Sequence, residues 1–427
     1  MDIQKLYEIY RKSGKVSTDT RKIEPGSVFF ALKGEKFDGN QFAGEALAKG
    51  AAYAVIDDPL YNKGEHFVVV DDVLTALQQL ARHHRQQLTI PVIGLTGSNG
   101  KTTSKELLYA VLAKKFKTFA TKGNLNNHIG VPLSILSIDR TIEIAVIEMG
   151  ANHVGEIAAL SAIANPTHGF ITNIGKAHIG TFGGFDNIIR GKSELYMHLI
   201  NNQGTVFINS QNPILFNMAK RFKNPVLYPA KGDYYHCEMI SANPYIKIRT
   251  ESGREVQTKL LGTYNFENIA TALCIGKYFG VDENLANQAV ADYEPANMRS
   301  QVIKKGTNTI ILDAYNANPS SMEAAIRSLA DMKAEKKVLI LGDMFELEEE
   351  AEQEHRNIGK LVRDLGFTSV LLCGDLMRYA LDEFPRARYF SEKEDLLSSL
   401  KQNPISESTV LVKASRGIGL EAVMDVI

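Results

Sequence analysis

Cysteine is scarce in this chain of 427 residues. Cys237, Cys274 and Cys373 stand alone, with no Cys-x-x-Cys spacing, which excludes a disulfide framework and a zinc knuckle. An excess of charge of one sign is also lacking. The formal net charge is −1, so no global field recruits nucleic acid or an anionic membrane surface. No uninterrupted apolar run approaches the length needed to span a bilayer. The opening Met1-Asp2-Ile3-Gln4-Lys5 lacks the apolar core of a signal peptide, and the expected location is the cytoplasm. Short internal repeats and low-complexity tracts are absent as well. What is present is ordinary: 44% hydrophobic and 23% charged residues suit a globular protein. The length suggests about three domains.

The most informative segment is Val92-Ile93-Gly94-Leu95-Thr96-Gly97-Ser98-Asn99-Gly100-Lys101-Thr102-Thr103. A short apolar strand runs into a glycine-punctuated turn and then into a helix. Gly97 and Gly100 permit positive φ and close backbone approach, so successive N–H groups can converge on phosphate oxygens. The helix that follows turns its positive end toward the same anion. Lys101 is expected to reach the β- and γ-phosphates, and the Thr102 hydroxyl to ligate Mg²⁺. Leu95 stands where the general phosphate-loop pattern has a small residue, which narrows the class of enzyme rather than weakening the phosphate reading.

Around this loop the chain reads as three α/β units. Residues 1–87 mix short strands with helices and end in a polar, basic run, Arg82-His83-His84-Arg85-Gln86-Gln87. From 88 to about 295, near-continuous apolar strands such as Ala145-Val146-Ile147 and Gly169-Phe170-Ile171 alternate with helices, as in a parallel sheet buried on both faces. A hinge is expected near Pro295. Beyond it, 296–427 carries a second doubly wound pattern, with strands at 309–312, 338–341, 370–372 and 410–412.

Several polar residues fall where such sheets gather ligands, at the carboxyl ends of strands. Glu148 is one, and a carboxylate there can hold Mg²⁺. His178 follows another strand; a lone histidine there is more often a structural side chain than a ligand. Lys192 opens a helix and reads by composition as an exposed lysine. Asn265 and Asn268 suit either helix capping, with Asn265 as the N-cap, or recognition of an adenine edge. Asp313 ends a strand in the third unit and can face a ribose or phosphate. Arg299, just past the hinge, reads as a clamp for the γ-phosphate or as a surface ion-pair residue.

In this order the segments resemble the Mur ligases, the ATP-dependent enzymes that build the peptidoglycan stem peptide. The carriers are Thr96–Thr103, Glu148-Met149-Gly150-Ala151-Asn152-His153, the His178 segment, Lys192, Asn265 and Asn268, Arg299 and Asp313. Gly123-Asn124-Leu125-Asn126-Asn127-His128-Ile129-Gly130-Val131-Pro132-Leu133, Asp313-Ala314-Tyr315-Asn316-Ala317-Asn318-Pro319 and Leu341-Gly342-Asp343-Met344-Phe345-Glu346-Leu347 resemble the branch that adds D-alanyl-D-alanine. The region from Asp19-Thr20-Arg21 to Asp38-Gly39 resembles the UDP-sugar domain, and Val412-Lys413-Ala414-Ser415-Arg416-Gly417 a C-terminal family segment, with Ala414 in place of its usual glycine.

The resemblance implies an α/β fold of three domains. A central parallel-sheet P-loop ATPase domain (88–295) would be flanked by an N-terminal α/β domain binding UDP-N-acetylmuramic acid (1–87) and a C-terminal Rossmann-like domain (296–427) receiving D-Ala-D-Ala. It implies ATP and two Mg²⁺ ions, with Thr102, Glu148, His178 and a carbamylated Lys192 as metal ligands. Lys101, Lys192, His178 and Arg299 would be catalytic. Thr96, Gly97, Ser98, Asn99, Gly100, Lys101, Thr102, Thr103, Asn265, Asn268, Arg299 and Asp313 would bind ATP. The UDP substrate falls to Asp19, Thr20, Arg21, Asn40, Asn126 and Asn127, and the dipeptide to Asp343, Phe345, Ser415 and Arg416. The expected substrates are UDP-N-acetylmuramoyl-tripeptide and D-Ala-D-Ala, joined by a monomer through an acyl phosphate. Neighbouring readings are the ligase adding the third stem-peptide residue and a folylpolyglutamate synthase. A P-loop switch ATPase, from another class, leaves the Asp19–Arg21 region and the third unit unexplained.

Overall fold

The computed structural model describes residues 2–427. Four sheets carry the architecture, and three of them follow one another along the chain as α/β layers. The first is a four-stranded parallel sheet of Val16–Ser17, Val28–Phe30, Tyr53–Ile56 and Phe67–Val69, in that spatial order. Helix Val73–Gln86 closes this unit, its start capped by Asp72 and its inner face formed by Val73, Leu77, Leu80 and Ala81.

The second is a six-stranded parallel sheet in the order Val226–Tyr228, Thr205–Asn209, His168–Ile171, Val92–Thr96, Ile144–Glu148, Thr118–Ala120. Strand Val92–Thr96 is buried along its whole length, as its unbroken apolar run requires. The two faces pack into separate cores: Val92 belongs to one, Ile93 and Leu95 to the other. Chain order reverses between Val92–Thr96 and His168–Ile171, so a crevice opens between their carboxyl ends. The phosphate loop leaves from that point.

Residues 237–261 depart from the expected strand–helix alternation. Cys237–Ala242, Tyr245–Thr250 and Glu255–Leu261 form an antiparallel three-stranded sheet. The signal was legible: Glu255 to Leu260 alternates exposed and buried residue by residue, the period-2 pattern of a sheet with one wet face.

The last sheet runs Gln301–Lys305, Asn308–Asp313, Thr409–Lys413, Lys337–Gly342, Ser369–Cys373, Arg388–Phe390. Its first pair is antiparallel and the remainder parallel, so the expected doubly wound unit carries an added hairpin at one edge. Among the described residues no helix is long and apolar enough to cross a membrane.

One half-buried base in the central sheet gives a pH-dependent test of this packing. The His168 ring lies 5.0 Å from Phe279, 5.6 Å from Tyr278 and 6.3 Å from Phe207. Burial among these rings pushes its pKa from 6.5 down to about 4. Between these values the unfolded chain binds the proton and the folded chain does not, so stability is full above pH 6.5 and is lost as pH falls toward 4. His168→Phe is expected to flatten that acid limb by at most about 3 kcal/mol, as measured by urea unfolding at pH 4.5 and pH 7.

Candidate active site

The turn after strand Val92–Thr96 admits no side chain at two positions. Gly97 has φ +146°, and a Cβ there would lie 1.9 Å from Thr172 Oγ1. Gly100 has φ +77°, and its Cβ would meet Asn268 Oδ1 at 2.6 Å. The loop is sewn to the next strand's exit. Ser98 N–H donates to Asn173 O and Asn99 N–H to Asn173 Oδ1, both at 3.0 Å, and Thr172 Oγ1 donates to Asn99 O at 2.6 Å. Gly100 caps helix Lys101–Leu112 without any side-chain acceptor. The first-turn N–H groups of Lys101, Thr102 and Thr103 therefore have no intrahelical carbonyl to bond and face the cleft as anion donors. Lys101 Nζ folds back onto Gly97 O at 2.7 Å and Ser98 O at 3.2 Å. Burial lowers its pKa, with Arg299 adding to that and Glu148 opposing it.

Beside the loop, Glu148 ends its strand 2% exposed. Thr102 Oγ1 donates to its Oε2 at 3.2 Å, Asn126 Nδ2 to its Oε1 at 2.8 Å, and Lys105 Nζ stands 3.3 Å from Oε2. A hydroxyl and a carboxylate oxygen at the mouth of an anion-binding turn form a hard donor pair that fits Mg²⁺. Among the described residues no group of three His, Cys, Asp or Glu side chains comes together to hold a metal unaided.

His178 and Lys192, the other expected ligands, stand apart from this pair. His178 has φ +57°, and its Nδ1 lies 2.5 Å from Glu346 Oε2 of the C-terminal unit, though off the line of a hydrogen bond. That contact lowers the Glu346 pKa. Lys192 sits in the middle of helix Phe185–Asn201 rather than at its start, and it is 1% exposed. Its Nζ donates to Ala151 O at 3.0 Å and lies 5.0 Å from the Phe182 ring centre. Burial, helped by Lys101, pushes its pKa down to about 7 against the pull of Glu156 and Glu194.

The facing wall comes from beyond the hinge. Asn297, Met298 and Ser300 all have positive φ, a concentration of left-handed residues that marks a sharply bent connection. Ser300 N–H donates to Asp313 Oδ1 at 3.1 Å, and the Ser300 hydroxyl is 2.9 Å from Tyr264 OH. The other Asp313 oxygen accepts from Lys413 Nζ at 2.6 Å, and Lys413 is 1% exposed. The Arg299 guanidinium carbon lies 3.9 Å from the centre of the Tyr315 ring. Asn318 Nδ2 donates to Asn99 Oδ1 at 2.8 Å, Lys176 N–H to Ser320 Oγ at 3.0 Å, and Lys176 Nζ pairs with Glu354 at 2.6 Å. Together these walls enclose a cleft of about 880 Å³. Ser98 to Thr103, Asn126, Asn127, Glu148, His178, Asn265, Asn268, Arg299 and Asp313 all line it.

The remaining candidates lie elsewhere or are engaged internally. Asn265 is the first residue of helix Asn265–Tyr278, not its cap; Tyr264 occupies that place, and Asn265 Nδ2 bonds Leu261 O at 2.8 Å. Asn268 joins Ser104 Oγ to Asn265. Asn127 accepts from the N–H groups of Ile129 and Gly130. Asp19 is held well down, to about 2, chiefly by Arg21, whose Nε and Nη2 it accepts at 2.9 and 2.8 Å. Asp19, Thr20 and Arg21 form a short turn that is not part of the cleft lining. Asn40 is fully buried; its amide N–H groups serve Asp38 and Asp57 and its oxygen accepts from Asp57 N–H. Asp343 likewise accepts from Leu376 and Met377 N–H. Phe345 N–H donates to Ser415 Oγ, and Arg416 stacks toward Tyr315 at 5.3 Å.

Sequence reasoning missed Lys105, Lys413, Tyr315 and Glu267. Lys105 had a usable signal, since it follows Thr102 by three residues on one helix face. Lys413 stood inside the resembling Val412–Gly417 segment, but its role was not legible there, because its partner Asp313 is 100 residues away. Glu267 lines the cleft beside Asn268, and burial pushes its carboxyl up to about 7.

A phosphate loop in a three-layered α/β chain, with its far wall supplied by a second nucleotide-fold sheet, defines an ATP-dependent ligase class. Residues 14–85 match the Mur ligase family catalytic domain, 95–276 the Mur ligase middle domain, and 298–416 the Mur ligase glutamate ligase domain. The chain belongs to the Mur ligase family. It is 38% identical to the UDP-N-acetylmuramoyl-tripeptide–D-alanyl-D-alanine ligase of Bacillus subtilis, covering 96% of this chain and 92% of that one. A crystal structure of MurF from Acinetobacter baumannii superposes with a TM-score of 0.87 at 33% identity, over 96% of this chain and 92% of that one. MurF from Thermotoga maritima in complex with ADP gives 0.86 at 27% identity, over 97% of each chain.

Proposed function

We propose that this protein joins D-alanyl-D-alanine to UDP-N-acetylmuramoyl-tripeptide, using ATP, in the synthesis of peptidoglycan precursors. The observation that carries the reading is the cleft itself: a phosphate loop and a buried strand-end carboxylate on one wall, Arg299, Tyr315 and Asn316 on the other. A carboxylate does not react with an amine until its oxygen is made a leaving group. Transfer of the γ-phosphoryl group to the tripeptide's terminal carboxylate, with ADP leaving, supplies that activation. The dipeptide amine then adds to the acyl carbon, phosphate departs and the amine proton is released. Lys101 and Arg299 approach from opposite walls and offset charge on the transferring group. Thr102 and Glu148 would hold Mg²⁺, which would supply charge neutralisation at the phosphates. His178, from the same cleft, and Lys192, carbamylated, would complete a second metal site. We take the working unit to be a monomer, supported by both walls of the cleft coming from one chain, and its location to be the cytoplasm, supported by its nucleotide substrates.

Phosphate release from ATP and UDP-N-acetylmuramoyl-tripeptide is expected to depend on D-Ala-D-Ala. Release that responds instead to a diamino acid acceptor, with the dipeptide inert, would reassign the chain to the preceding ligation step. A response to glutamate with a folate acceptor would point to the folylpolyglutamate synthases, and slow turnover indifferent to any acceptor to a switch ATPase.

A further inference from the structure

Glu148 reaches the cleft with both oxygens already engaged. Asn126 Nδ2 holds Oε1 at 2.8 Å, and Thr102 Oγ1 and Lys105 Nζ hold Oε2 at 3.2 and 3.3 Å. The Lys105 and Glu148 side chains are 4% and 2% exposed, so this pair is hardly screened by solvent. Helix Lys101–Leu112 places Lys105 one turn behind Thr102, on the face turned toward Glu148. Its next polar neighbour, Gly123 O, stands off at 3.5 Å. The ammonium therefore occupies, in charge and in position, the side of the carboxylate that a dication approaching Thr102 would use.

We propose that Lys105 is the resident counter-cation of Glu148, and that it makes capture of a divalent cation there conditional on the incoming triphosphate. This rests on reading Thr102 and Glu148 as metal ligands. In the nucleotide-free protein a dication meets a carboxylate that is already neutralised, beside a like charge that repels it. The triphosphate brings negative charge and further oxygen ligands to the loop, which tips the balance toward the metal. The loop is thereby kept from loading metal before nucleotide, and Lys105 acts as a positioning residue that touches neither reacting group.

Mn²⁺ binding to the full chain, followed by water-proton relaxation without peptide substrate, tests this. Nucleotide-free wild type is expected to bind Mn²⁺ at least about tenfold more weakly than Lys105→Met, because a single removed cation stops opposing the metal. A non-hydrolysable ATP analogue should raise wild-type affinity to that of the variant or beyond. Lys105→Arg should behave as wild type. Mn²⁺ should also raise the melting temperature of Lys105→Met but not of nucleotide-free wild type. Equal nucleotide-free affinity in wild type and Lys105→Met overturns the proposal. So does a gain in Lys105→Met that survives the further change Glu148→Gln, since the metal would then sit elsewhere. Should Lys105→Met fail to fold, Lys105→Gln keeps a hydrogen bond to Glu148 without the charge and gives the same comparison. Absence of Mn²⁺ binding even with the analogue overturns the metal reading of Thr102 and Glu148 together with the proposal.

Discussion

Lys101→Ala is expected to lower dipeptide-dependent phosphate release by about 10²–10³-fold, the cost of losing one preorganised charge that meets the transferring group. The lysine is stored on carbonyl oxygens of its own loop, Gly97 and Ser98. Those contacts are to loop carbonyls that water can replace, so the fold should survive. Melting temperature without nucleotide is the control. Nucleotide should then stabilise wild type more than the variant, because ligand stabilisation follows affinity for the folded state. Turnover near the wild-type rate in Lys101→Ala would remove the phosphate loop from the mechanism.

Lys192→Ala should cause a loss of similar order, for a different reason. A lysine that is 1% exposed, its ammonium bonded to one carbonyl and near a phenyl ring, has little to stabilise its charge. With its pKa pushed down to about 7, much of it is neutral amine under ordinary conditions, and a neutral amine nitrogen adds to CO₂ with loss of a proton to give a carbamate. That modification turns a repelled cation into an oxygen donor. Short carboxylates added to Lys192→Ala should restore part of the activity by occupying the vacated space. Depleting dissolved CO₂ should slow wild type but leave the rescued variant unaffected. Full activity in Lys192→Ala, or a variant deaf to carboxylates and a wild type deaf to CO₂, would exclude the carbamate.

The residues legible from the chain alone were those whose chemistry is local. Thr96 to Thr103 announce a strand, a turn and a helix start within one window, and Glu148 announces itself by ending an apolar run. The three-domain α/β arrangement followed from the same periodicities. Asn40 and Asp343 are expected from loops beside or within the segments that resemble the family, not from a local pattern of their own. The structure uses their hydrogen bonds to hold those loops, a role that depends on partners up to 34 residues away. Lys413 pairs with Asp313 through adjacent parallel strands, and strand adjacency leaves no mark in either local sequence. The sheet at 237–261 was missed despite its alternation, because the expectation of a repeating strand–helix unit outweighed the period.

The bend at Asn297–Ser300 has a consequence for how the two walls could part. Ser300 is tied to Asp313 on one side and to Tyr264 on the other, so the connection is pinned to both walls. The further fastenings across the cleft, Asn318 on Asn99 and Ser320 and Glu354 on Lys176, gather beside the phosphate loop. The walls thus close like a clasp whose catch lies at the nucleotide end: any parting there has to undo these bonds.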